Sequence, residues 1–120
     1  MTAQNLSSPS LQICALLYYT EDSILFDRRI LKEMQVEKFQ EPFDSISNRY
    51  WGVMKGTWYG IPCYGVSINI IIPLINNNLL VRCEERNFTF YRLNVCEEHK
   101  EFFKEIKVQI ALGLINISLK

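Results

Sequence analysis

Residues 56–81 are the most constraining feature of this sequence, because they contain no Asp, Glu, Lys or Arg although these residues make up 22% of the chain. An uncharged run of this length promotes aggregation when it is exposed, so it must be covered. Its cover is either the rest of the same domain or the surface of another protein. The sequence favours a central strand covered by its own domain, and docking onto a partner stays open as the functional alternative.

The clearest pattern in this run lies in residues 64–72. Apolar side chains recur there at every second position, at Tyr64, Val66, Ile68, Ile70 and Ile72. Alternation with a period of two is typical of a β-strand, so residues 64–72 are predicted to form one. Upstream, a short strand at residues 50–55 is predicted to turn at Lys55 and Gly56 into residues 57–59.

After this predicted strand, the sequence indicates an antiparallel meander. Three consecutive asparagines at positions 76–78 favour a turn, because asparagine tolerates left-handed backbone geometry and forms local hydrogen bonds. Strands are predicted at residues 79–84 and 88–93, with a second turn at residues 85–87.

The N-terminal part is predicted to begin with a flexible segment, residues 1–10, which is small and polar. Residues 11–20 alternate in hydropathy and are rich in aliphatic and aromatic side chains, which predicts a strand. Apolar side chains then recur four residues apart, at Phe26, Ile30 and Met34. This spacing favours a helix over residues 23–39, and a hairpin strand is the alternative there.

The C-terminal part is predicted to form an amphipathic helix over residues 95–112. Its apolar positions follow helical spacing and comprise Val95, His99, Phe102, Phe103, Ile106 and Ile110. Asn94 followed by Glu97 resembles a capping box at the start, and Gly113 is a natural stop. The alternating residues 115–119 are predicted to add an edge strand.

Together these segments predict an α+β fold in a single domain, residues 11–120. An antiparallel sheet of five or six strands, shaped as a roll or half-barrel, is expected to be packed by the C-terminal helix. A chain of 120 residues buries enough surface to fold without metal or disulfide support. No cofactor is therefore predicted.

The cysteines at positions 14, 63, 83 and 96 contain no CxxC pair, and the N-terminus lacks the pattern of a signal peptide. A reducing, cytoplasmic location is the expectation. Cys63, Cys83 and Cys96 with His99 would make a Cys3His zinc set, but they lack the paired spacing of such sites, so no metal site is predicted. Prolines interrupt the longest apolar region, so no membrane span is expected either.

His99 is the one histidine of the chain, and Cys96 lies three residues before it. On a helix this spacing places both side chains on one face, where a thiolate and an imidazole could act together as a catalytic pair. Side chains at this spacing on an apolar helical face more often join the core. The sequence therefore assigns no catalytic residue and favours a protein that is not an enzyme.

Aromatic side chains crowd between positions 50 and 64. The candidate partner-binding residues there are Arg49, Tyr50, Trp51, Trp58, Tyr59 and Tyr64. Aromatic residues with arginine are typical of interface hot spots, and also of platforms for single-stranded nucleic acid. A formal net charge of zero and a pI near 6.6 favour a protein partner over nucleic acid.

The function that this sequence favours is a non-catalytic interaction or assembly module, which docks through an apolar and aromatic sheet surface. Such a protein would be a small subunit, adaptor or inhibitor bound to a protein partner, or a homo-oligomer. Two alternatives from other classes remain. One is a small-ligand-binding domain that uses the aromatic segment, and the other is a small enzyme that uses Cys96 and His99.

Overall fold

The computed structural model describes residues 6–31, 33, 37–40 and 53–115. The elements follow in the order α1 (Ser8–Tyr19), β1 (Ile24–Asp27), a 3-10 turn (Arg28–Ile30), β2 (Glu37–Gln40), β3 (Met54–Trp58), β4 (Ile61–Val66), α2 (Ile68–Asn76), β5 (Leu80–Glu85), β6 (Phe88–Leu93), a second 3-10 turn (Glu97–His99) and α3 (Lys100–Ala111). In this part of the chain, no helix has both the length and the hydropathy needed to cross a membrane.

The strands form one sheet in the order β2-β3-β4-β1-β6-β5. β1 pairs with β4 in parallel, and the other neighbouring strands pair antiparallel. The predicted α+β class is confirmed. The sheet is mixed rather than purely antiparallel, and among the described residues its two end strands, β2 and β5, do not pair with each other, so it is not a closed barrel. The parallel pair was missed because β1 lies inside a segment that was predicted to be helical.

The strand predicted at residues 11–20 is wrong, because these residues belong to α1. Ser7 caps the helix by accepting a hydrogen bond from the Ser10 backbone N–H at 3.4 Å, and Pro9 lies in the first turn. All side chains at positions 13–17 are buried. A helix that is buried on every side has no polar face, so its period of 3.6 residues does not show in the sequence.

The folded domain reaches further toward the N-terminus than the predicted start at Leu11. Leu6 is buried, and the buried Ser10 hydroxyl donates a hydrogen bond to the Ile70 carbonyl at 3.0 Å. Leu6 and Ser10 therefore contribute to the core. The remaining residues of the predicted flexible segment, 1–5, lie outside the described residues.

The helix predicted over residues 23–39 is also wrong, because β1 and β2 occupy its two ends. Ile24, Leu25 and Phe26 are buried in succession, as expected of a central strand that is covered on both faces. The 3-10 turn after β1 is capped by Asp27, whose carboxylate holds the Arg29 guanidinium at 2.6 Å. The hydrogen bonds from Arg29 lower the pKa of Asp27.

The strand predicted at residues 64–72 ends at Val66, and the helix α2 follows. Ser67 caps this helix by accepting a hydrogen bond from the Asn69 backbone N–H at 3.2 Å. Its buried side chains, Ile70, Ile71 and Leu74, share one helical face. The isoleucine-rich sequence matches both periods, so the alternation was a false signal and the serine cap was the informative one.

The predicted β5–β6 hairpin is confirmed, with Leu80 opposite Leu93 and Glu85 opposite Phe88. Arg86 and Asn87 form its turn with φ of 55° and 69°. Two successive positive φ angles are the geometry that matches the right-handed twist of a hairpin.

The turn predicted at Lys55 and Gly56 is wrong, because β3 runs through both residues. β3 pairs with β4 up to Trp58 opposite Ile61, and the chain reverses at Tyr59 and Gly60. Gly60 has a φ of 81°, which favours glycine.

The C-terminal helix forms as predicted over Lys100–Ala111, but it starts differently. Asn94 does not cap it, because the Asn94 side-chain amide donates to the Asn78 carbonyl at 2.9 Å instead. Gly113, with a φ of 74°, follows the helix as expected. Most of the predicted tail strand, residues 116–120, lies outside the described residues.

The sheet separates two layers of apolar side chains. Its helical face carries Leu25, Tyr64 and Val66, which belong to one cluster with buried residues of all three helices. Those helical residues are Ile13, Cys14, Ala15, Leu16, Leu17, Ile70, Ile71, Leu74, Phe102, Phe103 and Ile106. The opposite face, here called the aromatic face, carries Ile24, Phe26, Trp58, Cys63 and Phe90, with Leu31 packed against them.

Trp58 organises the aromatic face. Its ring meets Phe26 and Phe90 edge-on, with centroid distances of 5.5 and 5.7 Å. The side chain is 0% exposed, and its indole N–H has no hydrogen-bond partner in the described part of the chain. Trp58 thus stabilises the fold by apolar and aromatic packing rather than by hydrogen bonding.

Replacement of Trp58 by alanine tests this packing. We expect Trp58→Ala to lower the free energy of unfolding by ~3–5 kcal/mol, because it removes a large buried ring and leaves a cavity. Tyr59→Ala is the matched control, since Tyr59 is exposed and its loss should cost about 1 kcal/mol or less. Urea denaturation measures both values. Equal small losses would contradict the placement of Trp58 in the core.

Candidate functional site

The structure separates the residues that were predicted to bind a partner. Outside the described residues lie Arg49, Tyr50 and Trp51. Trp58 is buried on the aromatic face and Tyr64 is buried on the helical face, so neither side chain offers surface to a partner. Tyr59 is 55% exposed, and of the described members of the set it alone remains available for contact.

Tyr59 is paired with a cation that the sequence analysis did not single out. The Arg86 guanidinium lies 3.8 Å from the centroid of the Tyr59 ring. Arg86 also forms an ion pair with Glu85 at 3.2 Å. These side chains extend from two hairpin turns and form a small exposed cluster.

The uncharged run of residues 56–81 is covered largely within the domain. β4 lies between β3 and β1, and the buried face of α2 packs in the same cluster as α1. The exposed apolar side chains of α2 are Ile72 and Ile75. Cover by the same domain, the reading that the sequence favoured, accounts for most of the run. The uncharged run therefore gives no independent reason to place a partner-binding surface at residues 56–81.

A groove opens where the end of α1, the end of β6 and the last turns of α3 meet. It has a volume of about 730 Å³. Its lining residues are Leu17, Tyr18, Tyr19, Glu21, Asp22, Ser23, Arg92, Leu93, Val95, Lys107, Ile110 and Ala111. Apolar and aromatic side chains predominate among them, and they come from three separate segments of the chain.

The inner wall of the groove is held in place by packing and hydrogen bonds. The Tyr18 ring stacks on Phe103, with centroids 5.0 Å apart and an interplanar angle of 13°. The Thr20 hydroxyl donates to the Leu16 carbonyl at 2.7 Å, so it accepts from the Ser23 hydroxyl at 2.9 Å. The proton of the buried Ser23 hydroxyl is therefore engaged within the protein and does not point to a ligand.

The rim of the groove combines exposed apolar side chains with charges of both signs. Tyr19 is 64% exposed and Val95 is 63% exposed. The α1–β1 turn contributes two carboxylates, and β6 and α3 contribute one cation each. These charged residues are Glu21, Asp22, Arg92 and Lys107, and none of them forms an ion pair within the described part of the chain. The rim can therefore accept complementary charges from outside.

A second feature lies on the loop that leads from β6 into α3. Cys96, Glu98 and His99 each offer one possible metal-ligating atom, and these atoms lie within 4.8 Å of one another. The His99 ring is buried, and its Nε2 lies 2.9 Å from the Asn78 carbonyl oxygen. Since a carbonyl oxygen can only accept, Nε2 carries a proton, and in the neutral ring Nδ1 is the nitrogen with the free lone pair.

The other cysteines are not part of this cluster. Burial raises the pKa of the Cys14 thiol to about 12 and that of the Cys63 thiol to about 11. Cys83 packs beside the aromatic face. The Cys3His set that was considered for the sequence is thus not assembled among the described residues, and a carboxylate takes a place in the cluster instead.

No family model matches this chain, and neither a curated protein nor a solved structure matches it. The groove was not predicted from the sequence, because its residues are distant in the chain and none of them stands out by residue type. Glu98 was not singled out either, although it lies between Cys96 and His99 in the sequence.

The cysteines should differ in reactivity in the folded protein. We expect Cys83 and Cys96 to react quickly with a thiol reagent at neutral pH, and Cys14 and Cys63 to react slowly. Burial limits access to the latter two, and their raised pKa values keep them protonated. Time-resolved labelling followed by peptide mass spectrometry measures the four rates, with denatured protein as the control. Rapid native labelling of Cys14 would contradict the buried position of α1.

Proposed function

We propose that this protein is a non-catalytic interaction module that binds an apolar segment of a partner protein in the groove between α1, β6 and α3. The observation that carries the proposal is the groove itself, a mainly apolar concavity with exposed Tyr19 and Val95 at its rim. Exposed apolar side chains beside a concave apolar surface are typical of interaction sites.

The polar groups of the groove favour a protein segment over a small molecule. Small-ligand sites orient their ligand through a few convergent polar groups inside the cavity. Here Ser23 is the buried polar side chain of the lining, and its hydroxyl is bonded to Thr20. The remaining polar groups lie nearer to solvent. An apolar centre with a polar rim is the usual anatomy of a protein interface.

Charge narrows the chemistry of the partner segment. Arg92 and Lys107 can pair with an acidic side chain, and Glu21 and Asp22 can pair with a basic one. We therefore infer a segment that combines apolar side chains with at least one charge of each sign. Nucleic acid fits less well, because the two carboxylates oppose a phosphate backbone.

The proposal keeps two further expectations from the sequence. The first is that the C-terminal helix, α3, packs against the sheet, which is supported by its Phe102, Phe103 and Ile106 in the same cluster as Leu25. Such packing would fix one wall of the groove. The second is a reducing, cytoplasmic setting, supported by four cysteines that are all free thiols.

A peptide selection tests the groove. We expect peptides selected from a random display library on the wild-type protein to combine apolar residues with charges of both signs. Val95→Glu should weaken their binding by about tenfold or more, because it places a carboxylate on the apolar rim. Val81→Glu is the matched control, since Val81 is exposed on β5 and does not line the groove. Fluorescence anisotropy with a labelled peptide measures both affinities.

A second matched pair tests the charges of the rim. Lys107→Glu should weaken the binding of an acidic peptide. Lys104→Glu, on the same helix but outside the groove, should leave the affinity for that peptide nearly unchanged. The proposal would be contradicted if the groove variant and its control lowered the affinity equally in each pair. It would also be contradicted if no selected peptide bound Val95→Glu more weakly than the wild-type protein. If Tyr59→Ala lowered the affinity of the selected peptides and the groove variants did not, the interface would lie at the hairpin turns instead.

A further inference from the structure

We propose that Cys96, Glu98 and His99 form a zinc-binding site on the loop between β6 and α3. One sulfur, one carboxylate oxygen and one imidazole nitrogen from these residues lie within 4.8 Å of one another. This donor set is assembled by the loop and by the 3-10 turn that starts α3. It uses none of the residues that line the groove, so it is independent of the proposed function.

The type of donor selects the metal. A thiolate and an imidazole suit zinc, whereas calcium and magnesium prefer oxygen ligands throughout. Zinc bonds of about 2.0–2.3 Å in a tetrahedral shell place neighbouring donors about 3.3–3.6 Å apart. The three donor atoms lie up to 4.8 Å apart, so side-chain movements of about 1 Å would bring them to the separation that zinc requires. Glu98 is exposed and Cys96 is half-buried, so both have room to adjust.

His99 is already held as a metal-ligating histidine usually is. Histidines that bind zinc typically donate their other ring N–H to a carbonyl or carboxylate, which fixes the tautomer and the ring orientation. The Asn78 carbonyl has this position relative to His99 Nε2, at 2.9 Å. The Asn94 amide donates to the same carbonyl at 2.9 Å, and Phe103 meets the imidazole ring edge-on. Nδ1 is the nitrogen left to bind a cation.

Three protein ligands leave one position of a tetrahedral zinc shell open. Water or an external ligand would fill that position, because Glu98 lies at the surface.

Cobalt is a spectroscopic probe for this site. We expect reduced wild-type protein to bind one equivalent of Co²⁺ and to develop the near-ultraviolet charge-transfer absorption of a cobalt-bound thiolate, which one equivalent of Zn²⁺ then abolishes. Cys96→Ser should remove that absorption. Cys83→Ser is the matched control, because Cys83 lies on β5 outside the cluster. Loss of the absorption in Cys83→Ser, or its retention in Cys96→Ser, overturns the proposal.

Calorimetry with Zn²⁺ alone tests whether the Glu98 carboxylate contributes to zinc binding. Glu98→Gln should weaken zinc binding by roughly 10- to 100-fold or more, since even changes beyond the direct ligands cost that much. Glu97→Gln is the control, because Glu97 is exposed beside it and lies outside the cluster. Wild-type protein that binds no zinc, or equal affinities in the two variants, overturns the proposed set.

Discussion

The structure depends on burying the short strand β1 from both sides. β1 contributes only the residues Ile24–Asp27, yet it lies between β4 and β6 at the middle of the sheet. Leu25 faces the helices, and Ile24 and Phe26 face the aromatic layer. A strand without a solvent-facing side requires a cover on each face. The buried helix α1 serves one face, and Trp58, Phe90 and their neighbours serve the other.

This double burial explains which elements were predictable. The β5–β6 hairpin is marked by turn residues before each strand, and α3 keeps a solvated side that makes its period of 3.6 residues visible, so both were predicted correctly. α1 and α2 are rich in aliphatic residues on several sides, and apolar runs fit either period. In both cases the serine before the helix was the decisive local signal, at Ser7 and Ser67. Hydrophobic alternation outweighed it in the prediction.

The Asn78 carbonyl connects the turn after α2 with the loop that precedes α3. It follows α2 in the sequence, with a φ of 57° at Asn78, and it accepts hydrogen bonds from Asn94 and His99. These bonds fix the loop between β6 and α3 against the α2–β5 turn. The single histidine thus contacts the predicted asparagine turn through the Asn78 carbonyl. No pattern within either segment predicts this contact. The same bond that makes His99 structural also orients its second nitrogen outward from that acceptor.

Composition cannot distinguish an interface aromatic from a core aromatic, because both environments select large rings with low conformational entropy. Trp58 and Tyr59 are adjacent in the sequence, yet Trp58 lies in the core and Tyr59 lies at the surface. The deciding factor is the turn after β3, which leaves the Tyr59 ring exposed at the margin of the aromatic face, with its centroid 5.2 Å from that of the Trp58 ring. The groove shows the reverse case. Its residues come from positions 17–23, 92–95 and 107–111, and only the fold makes them neighbours. A candidate site of this kind has no local sequence signal, so it follows from tertiary structure alone.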